Sequence, residues 1–286
     1  MTNPKLASRL VATVAAVILG AGATGAAVAA ETGHVGPHVE RLEWSFAGPF
    51  GHYDPAQLQR GFKVYREVCS ACHGLKRIAF RNLGEPGGPL FGEAQVKQLA
   101  SEYQIVDGPN DEGEMFERPG RPSDRFPSPY PNDQAARAAQ GGALPPDLSL
   151  IAKARAVTRG FPWFVLDAVT QYQEQGPDYI HALLTGYQDP PAGVEVAPGM
   201  HYNPNFIAGS QLAMPPPLSD DLVEYPDGAP QTVDQYATDV AAFLMWAAEP
   251  TLDERKQIGF KAMLFMVVFA GLLYFTKRKL WSKVDH

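Results

Sequence analysis

Residues 69 to 73 read Cys69-Ser70-Ala71-Cys72-His73, and they contain both cysteines of a 286-residue chain. Two cysteines cannot build a four-thiolate zinc site or an iron–sulfur cluster, so their spacing decides their chemistry. Thiols three positions apart on a helical turn face the same side, and an imidazole directly after the second stands beside them. This constellation lets a haem be held by two thioether bonds through its vinyl groups, with His73 coordinating the iron on one face. The competing reading is a redox disulfide of thioredoxin type, which normally follows a strand in a βαβ pattern. Here the preceding residues read as helix: Asp54 can cap a helix opening at Pro55, and Leu58, Phe62, Tyr65 and Cys69 recur at helical spacing. One covalent haem c is the expectation.

Both ends of the chain carry membrane signals. Lys5 and Arg9 precede the apolar run Leu10 to Leu19, and small residues lead to Ala29 and Ala30, the layout of a cleaved secretory signal over residues 1–30. Near the other end, Ile258 to Phe275 is apolar except for Lys261, whose long stem can carry its charge toward the interface. With its flanks, residues 257–276, it is long enough to cross a bilayer core of about 30 Å. Lys277, Arg278, Lys279 and Lys283 follow the span, while Glu249, Asp253 and Glu254 precede it. The excess of positive charge places the tail, 277–286, in the cytoplasm. Residues 31–250 then form an exported domain, on the periplasmic side of a bacterial inner membrane.

Charge and composition narrow the class further. The formal net charge is -7, and loss of Lys5 and Arg9 with the leader makes it -9. An acidic chain of this kind repels phosphates, which excludes general nucleic-acid binding and favours basic partners. Five carboxylates, Asp107, Asp111, Glu112, Glu114 and Glu117, fall within eleven residues and mark an expected docking face. The 26 prolines are about twice the usual ~5% share, so much of the fold should be loops shaped around a large cofactor.

A six-coordinate iron needs a second axial ligand. Met1 is lost with the leader, Met263 and Met266 lie in the span and Met245 in a late helix, leaving Met115, Met200 and Met214. Met214 is favoured because Pro215, Pro216 and Pro217 follow it, fixing the backbone of an extended loop that can present the thioether. Met200 is the rival, and the adjacent His201 would give a bis-histidine site; His34, His38, His52 and His181 have weaker claims. After this loop, Thr232 and Gln235 stand in capping-box spacing at the head of a helix running to about Glu249. Its apolar stripe, Val233, Tyr236, Ala237, Val240, Ala241 and Leu244, should pack on the helix before Cys69.

With these segments in view, the chain resembles the cytochrome c1 family over nearly all of its length after the leader. The segments carrying the resemblance are Cys69 to His73, Ile78 to Asn82, Val106 to Phe116 with Arg118 to Gly120, Pro129 to Asn132, Gly142 to Ser149, Leu183 to Tyr187, Met214 to Pro217, and Phe243 to Pro250. The resemblance implies a mainly α fold with long loops, a class-I-like cytochrome c domain and one C-terminal transmembrane helix. It also implies His73 and Met214 as axial ligands, with Arg155 near a haem propionate and Tyr179 lining the same edge. Its implied function is electron transfer within the cytochrome bc1 (quinol–cytochrome c reductase) complex, from the Rieske iron–sulfur protein to a soluble or membrane-anchored cytochrome c. Cytochrome b is a further implied partner, in a dimeric complex. The bond chemistry belongs to the complex, and this chain only passes electrons.

The sequence departs from the mitochondrial pattern between Arg155 and Tyr179, where an extra stretch of residues around Thr158 to Gly176 brings Arg159 forward as a substitute for Arg155. A second cysteine pair found in some bacterial relatives is absent, so the prolines and packing must hold Met214. Two other classes share some of these features. A haem c subunit of a terminal oxidase would have the anchor and the motif without the acidic and Met-Pro-Pro-Pro segments, and a gas sensor would lack a firm sixth ligand.

Overall fold

A computed structural model describes residues 39–156, 161–162, 165–167 and 175–282. The leader, Arg159, His34 and His38 lie outside these residues. Pro55–Val64 forms the first helix, α1, with Pro55 at its head and the Asp54 carboxylate accepting from the Ala56 amide at 3.0 Å. Its missing amide makes proline harmless in the first turn. The helix continues as a wider π turn over Tyr65–Cys69, which delivers the cysteine motif at its C-terminal end. Leu58, Phe62 and Tyr65 are all buried, as the spacing predicts.

Helix α2, Glu93–Ser101, leads into a hairpin of β1, Gln104–Asp107, and β2, Phe116–Pro119, paired antiparallel with Asp107 opposite Phe116. The loops after it contain α3, Asp133–Ala139, and the short α4, Ile151–Ala154. Helix α5, Gln175–Thr185, is followed by a two-residue ladder in which His201 and Tyr202 of β3 face Leu212 and Gln211 of β4. Helix α6, Val233–Ala248, closes the domain. Helix and loop thus dominate the described residues, and the two small sheets trim loops rather than build a core.

The core is assembled around α6, which packs against α1, α4 and α5. An amphipathic helix with one buried stripe was expected; instead every residue from Asp239 to Ala247 is buried. The reason is that α6 has neighbours on several sides, so residues outside the stripe also leave water. Its N-cap differs from the expectation in one half. Thr232 accepts from the Gln235 amide at 3.3 Å, but the Gln235 side chain turns to Asp239 at 3.0 Å instead of returning to the cap. Asp239, fully buried, also takes the Arg60 guanidinium of α1 at 2.9 Å. At the crossing of these helices Gly61 lies so close that a Cβ would sit 2.0 Å from the Asp239 carbonyl.

Phe62, Tyr65, Phe126, Phe243 and Trp246 form a chain of ring contacts with centroids 5.5–6.4 Å apart beside this crossing. Such offset and edge-on arrangements suit the ring quadrupoles. Glu249, Pro250 and Thr251 then break the helical path, and α7 runs from Leu252 to Leu280. Its 29 residues rise about 43 Å at 1.5 Å each, longer than the expected span because its first turn belongs to the folded domain. Leu252 and Lys256 are buried there, and Lys256 donates to the Phe46 and Gly51 carbonyls at 2.5 and 3.2 Å. Beyond that turn the helix is apolar, exposed and long enough to cross a membrane.

Candidate haem-binding site

The two thiols and the imidazole occupy the C-terminal end of the α1 segment. The His73 amide donates to the Cys69 carbonyl at 2.9 Å and the Cys72 amide to the same oxygen at 3.1 Å, so one tight turn fixes the motif. The Tyr65 hydroxyl donates to the His73 carbonyl at 3.1 Å. Both cysteines are free and half-buried. Burial, and then the proximity of Cys72, push the Cys69 thiol up to about 12. A redox-active pair needs the opposite shift, usually supplied by a helix N-terminus. The helix C-terminus here works against a thiolate, and the pair fits covalent attachment better than disulfide exchange.

The imidazole is oriented by the segment from Gly142 to Ser149. Its Nδ1 lies 2.8 Å from the Pro146 carbonyl. A carbonyl only accepts, so Nδ1 carries the proton and Nε2 keeps its lone pair for a metal. Partial desolvation pushes the ring below its ordinary pKa, favouring the neutral form that ligates. The strap is tied on both sides of that contact: Leu148 donates to the Gly74 carbonyl at 2.8 Å, and Asp147 accepts from the Lys76 and Ser149 amides at 2.9 and 3.0 Å. Gln140 approaches the Cys72 sulfur at 3.5 Å while holding the Tyr130 hydroxyl at 2.7 Å. Sequence reasoning did not find the roles of Pro146 and Asp147, because a backbone acceptor leaves no side-chain signature. The Pro145-Pro146-Asp147 run, with an Asp able to close an Asx turn, was the available signal.

Met214 lies two residues past β4, half-buried, with the Tyr187 hydroxyl donating to its carbonyl at 3.1 Å. Two asparagines fasten this region to the end of α5: buried Asn203 donates to the Leu183 carbonyl at 2.7 Å and Asn205 to Ala182 at 2.8 Å. These contacts add to the prolines and packing expected to hold the loop. The rivals Met200 and His201 sit in the same hairpin, His201 opposite Leu212. Met115, in contrast, is 61% exposed between the acidic strands, and His181 is engaged by Asp234 at 2.9 Å. Arg155 caps α4 in an exposed position, and its charge acts on Tyr179. Tyr179 is buried, its hydroxyl accepting from the Ile207 amide at 3.2 Å; burial raises its pKa while Arg155 opposes the rise. The donor set of two free thiols, an imidazole with Nε2 available and a thioether on a restrained loop fits a covalently held haem.

The model of the cytochrome C1 family matches residues 44–284, which covers the motif, the strap, the Met214 loop and the span. The chain belongs to the cytochrome c1 family. It is 50% identical over 273 residues to cytochrome c1 of Blastochloris viridis, covering 95% of this chain and 96% of that one. It is 44% identical over 273 residues to a mitochondrial cytochrome c1 heme protein of Arabidopsis thaliana, 94% and 82% covered. A protein of Bradyrhizobium diazoefficiens named cytochrome b/c1 is 61% identical over 241 residues, 84% of this chain, and this chain spans 35% of that relative's length. Cytochromes c1 are haem electron-transfer subunits of the bc1 complex, and the apolar exposed part of α7 fits the membrane anchor of one.

Proposed function

We propose that this cytochrome c1-family chain holds one covalent haem c through Cys69 and Cys72, with His73 and Met214 as axial ligands. In this reading it carries electrons from the Rieske iron–sulfur protein to a soluble or membrane-anchored cytochrome c. Bound haem supplies a one-electron couple and no bond chemistry of its own. The residues of the chain set how that couple is used. His73 Nε2 and the Met214 thioether would hold the iron, and with both bound it would have no position free for substrate or O2. Partial burial of the motif, with the buried Tyr65 ring tied to the His73 carbonyl, would favour the less charged reduced state. Arg155, with Tyr179 beside it, is suited to a propionate. Cleavage of residues 1–30 and the positive flank after the span put residues 31–250 in the periplasm of a bacterial inner membrane, with 277–286 in the cytoplasm. The name cytochrome b/c1 of the Bradyrhizobium relative supports cytochrome b as a neighbour, and the complex is proposed to be dimeric.

The observation that carries this reading is the turn in which both cysteines are free while Nδ1 of His73 is committed to Pro146. The pyridine haemochrome spectrum of the purified chain tests it. Wild type should give the two-thioether spectrum, and Cys69→Ser or Cys72→Ser should each shift it toward that of a haem with an intact vinyl group. A spectrum unchanged by either substitution overturns the covalent assignment.

A further inference from the structure

Where α7 leaves the folded domain, the loop from Ser45 to His52 is clamped to its second turn. The loop is closed by the Ala47 amide donating to Trp44 and the His52 amide donating to Ser45, both at 3.0 Å. Lys256 of α7 reaches beneath it and donates to the carbonyls of Phe46 and Gly51, at 2.5 and 3.2 Å. Gly51 is packed so tightly that a Cβ would fall 2.0 Å from the Ala47 carbonyl. This loop therefore has a fixed place on the helix. At its tip Phe50 is 75% exposed, and its ring meets Phe260 of α7 edge-on, with centroids 5.7 Å apart. A shallow niche of about 250 Å³ opens between the two, beside Pro49, His52 and Gln257.

Phe260 is the third residue of the apolar run that begins at Ile258, so whatever touches it stands at the level where the span enters hydrocarbon. From Phe260 to Phe275, the last apolar residue before the cationic flank of Lys277, Arg278 and Lys279, the helix rises about 22 Å at 1.5 Å per residue. Trp281 is 53% exposed at the far end. With Trp281 just beyond the cationic flank, aromatic side chains lie near both ends of the span, as in interfacial belts. Leaving a phenylalanine in water forgoes the hydrophobic free energy that its burial would supply, a cost that insertion at the edge of the bilayer removes. Two rings and a proline fall well short of the ~800 Å² per partner that a stable protein interface buries, so a bilayer suits this element better than a neighbouring subunit.

We infer that the Ser45–His52 loop is a second membrane contact, inserting Phe50 beside Phe260 into the interfacial layer and so fixing how the soluble domain leans on the bilayer. The inference rests on α7 crossing a membrane. It is tested on the full-length haem-loaded chain in native membranes, with the photoreactive residue p-benzoylphenylalanine in place of Phe50 and the mass of the irradiated adduct measured. The expected product carries one phospholipid. The same probe replacing Leu264 in mid-span should also give a lipid adduct, and replacing Phe116 on the β1–β2 hairpin it should give none. A polypeptide adduct or no adduct at position 50, with lipid still captured at 264, overturns the inference alone. So does lipid capture at 116 equal to that at 50. Absence of lipid adducts at 264 overturns the anchor reading on which it stands.

Discussion

Nδ1 of His73 lies against the Pro146 carbonyl, which leaves Nε2 as the ring nitrogen available to a metal. The same logic applies across the proposed site, where Tyr187 and Asn203 hold the backbone around Met214 rather than its sulfur. Ferric wild type should show the weak far-red band of sulfur–iron ligation, and Met214→Leu should abolish it, lower the potential and admit CO to the reduced haem. Met200→Leu and His201→Ala should leave the band in place. Optical spectra and a redox titration of the three variants check this, and loss of the band in either rival variant moves the ligand there. Asp147→Ala should cost about 1–3 kcal/mol, since two amides lose their acceptor, and thermal unfolding with haem still attached reads it. At this scale the sequence exposed the residues proposed to hold the haem, Cys69, Cys72 and His73 through their types and spacing and Met214 through the prolines that follow it. Pro146, Tyr187 and Asn203 were not legible, because each acts through a carbonyl that only the folded chain brings near.

Helices α1 and α6 meet where a side chain would not fit, and the buried Asp239–Arg60 pair closes that crossing from one side. Gly61→Val should force the helices apart at a cost of about 1–3 kcal/mol or more, lowering the melting temperature while leaving the haemochrome spectrum intact. Both helices were readable: Asp54 with Pro55 and Thr232 gave their starts, and hydrophobic spacing gave their direction. The all-round burial of α6 was not, because a periodic stripe reports the first neighbour and says nothing of the second. The β1–β2 hairpin carries a pH dependence of its own. Arg118 grips Asp124 through two nitrogens at 2.6 and 3.0 Å and also holds Asp107. Its guanidinium keeps the Asp124 carboxyl below the ordinary 3.8. Because the folded value is depressed, the stabilisation is complete above 3.8 and is lost as pH falls through the lower folded value. Asp124→Asn should lower the amide-exchange protection of the hairpin at neutral pH and flatten the loss of protection in acid; protection matching wild type at both pH values would show that the pair does not hold the hairpin.

For the whole molecule, charge and anchorage set how partners arrive. Asp107 is engaged by Arg118, but Asp111, Glu112, Glu114 and Glu117 are exposed on one hairpin, and a field of this sign raises association with a basic cytochrome c. Neutralising Asp111, Glu112 and Glu114 together should lower the second-order rate and flatten its salt dependence, with haem spectrum and potential unchanged. Stopped-flow rates that keep the wild-type salt slope would move docking elsewhere. Lys153 and Arg255 both pair with Glu249 at the junction of α6 and α7, so the domain and its anchor are joined as one piece, and the anchor was legible from an apolar run that only Lys261 interrupts. The burial of its start was not, since Lys256 is held by the Phe46 and Gly51 carbonyls of a loop about two hundred residues earlier in the chain. The central claim, that this chain relays single electrons within the bc1 complex, is tested most directly by following its haem absorbance in the intact complex during turnover. On addition of quinol the haem should become reduced, and on addition of oxidised cytochrome c it should be reoxidised as fast as the complex turns over. A haem that stays oxidised while quinol is consumed and cytochrome c is reduced would contradict the account.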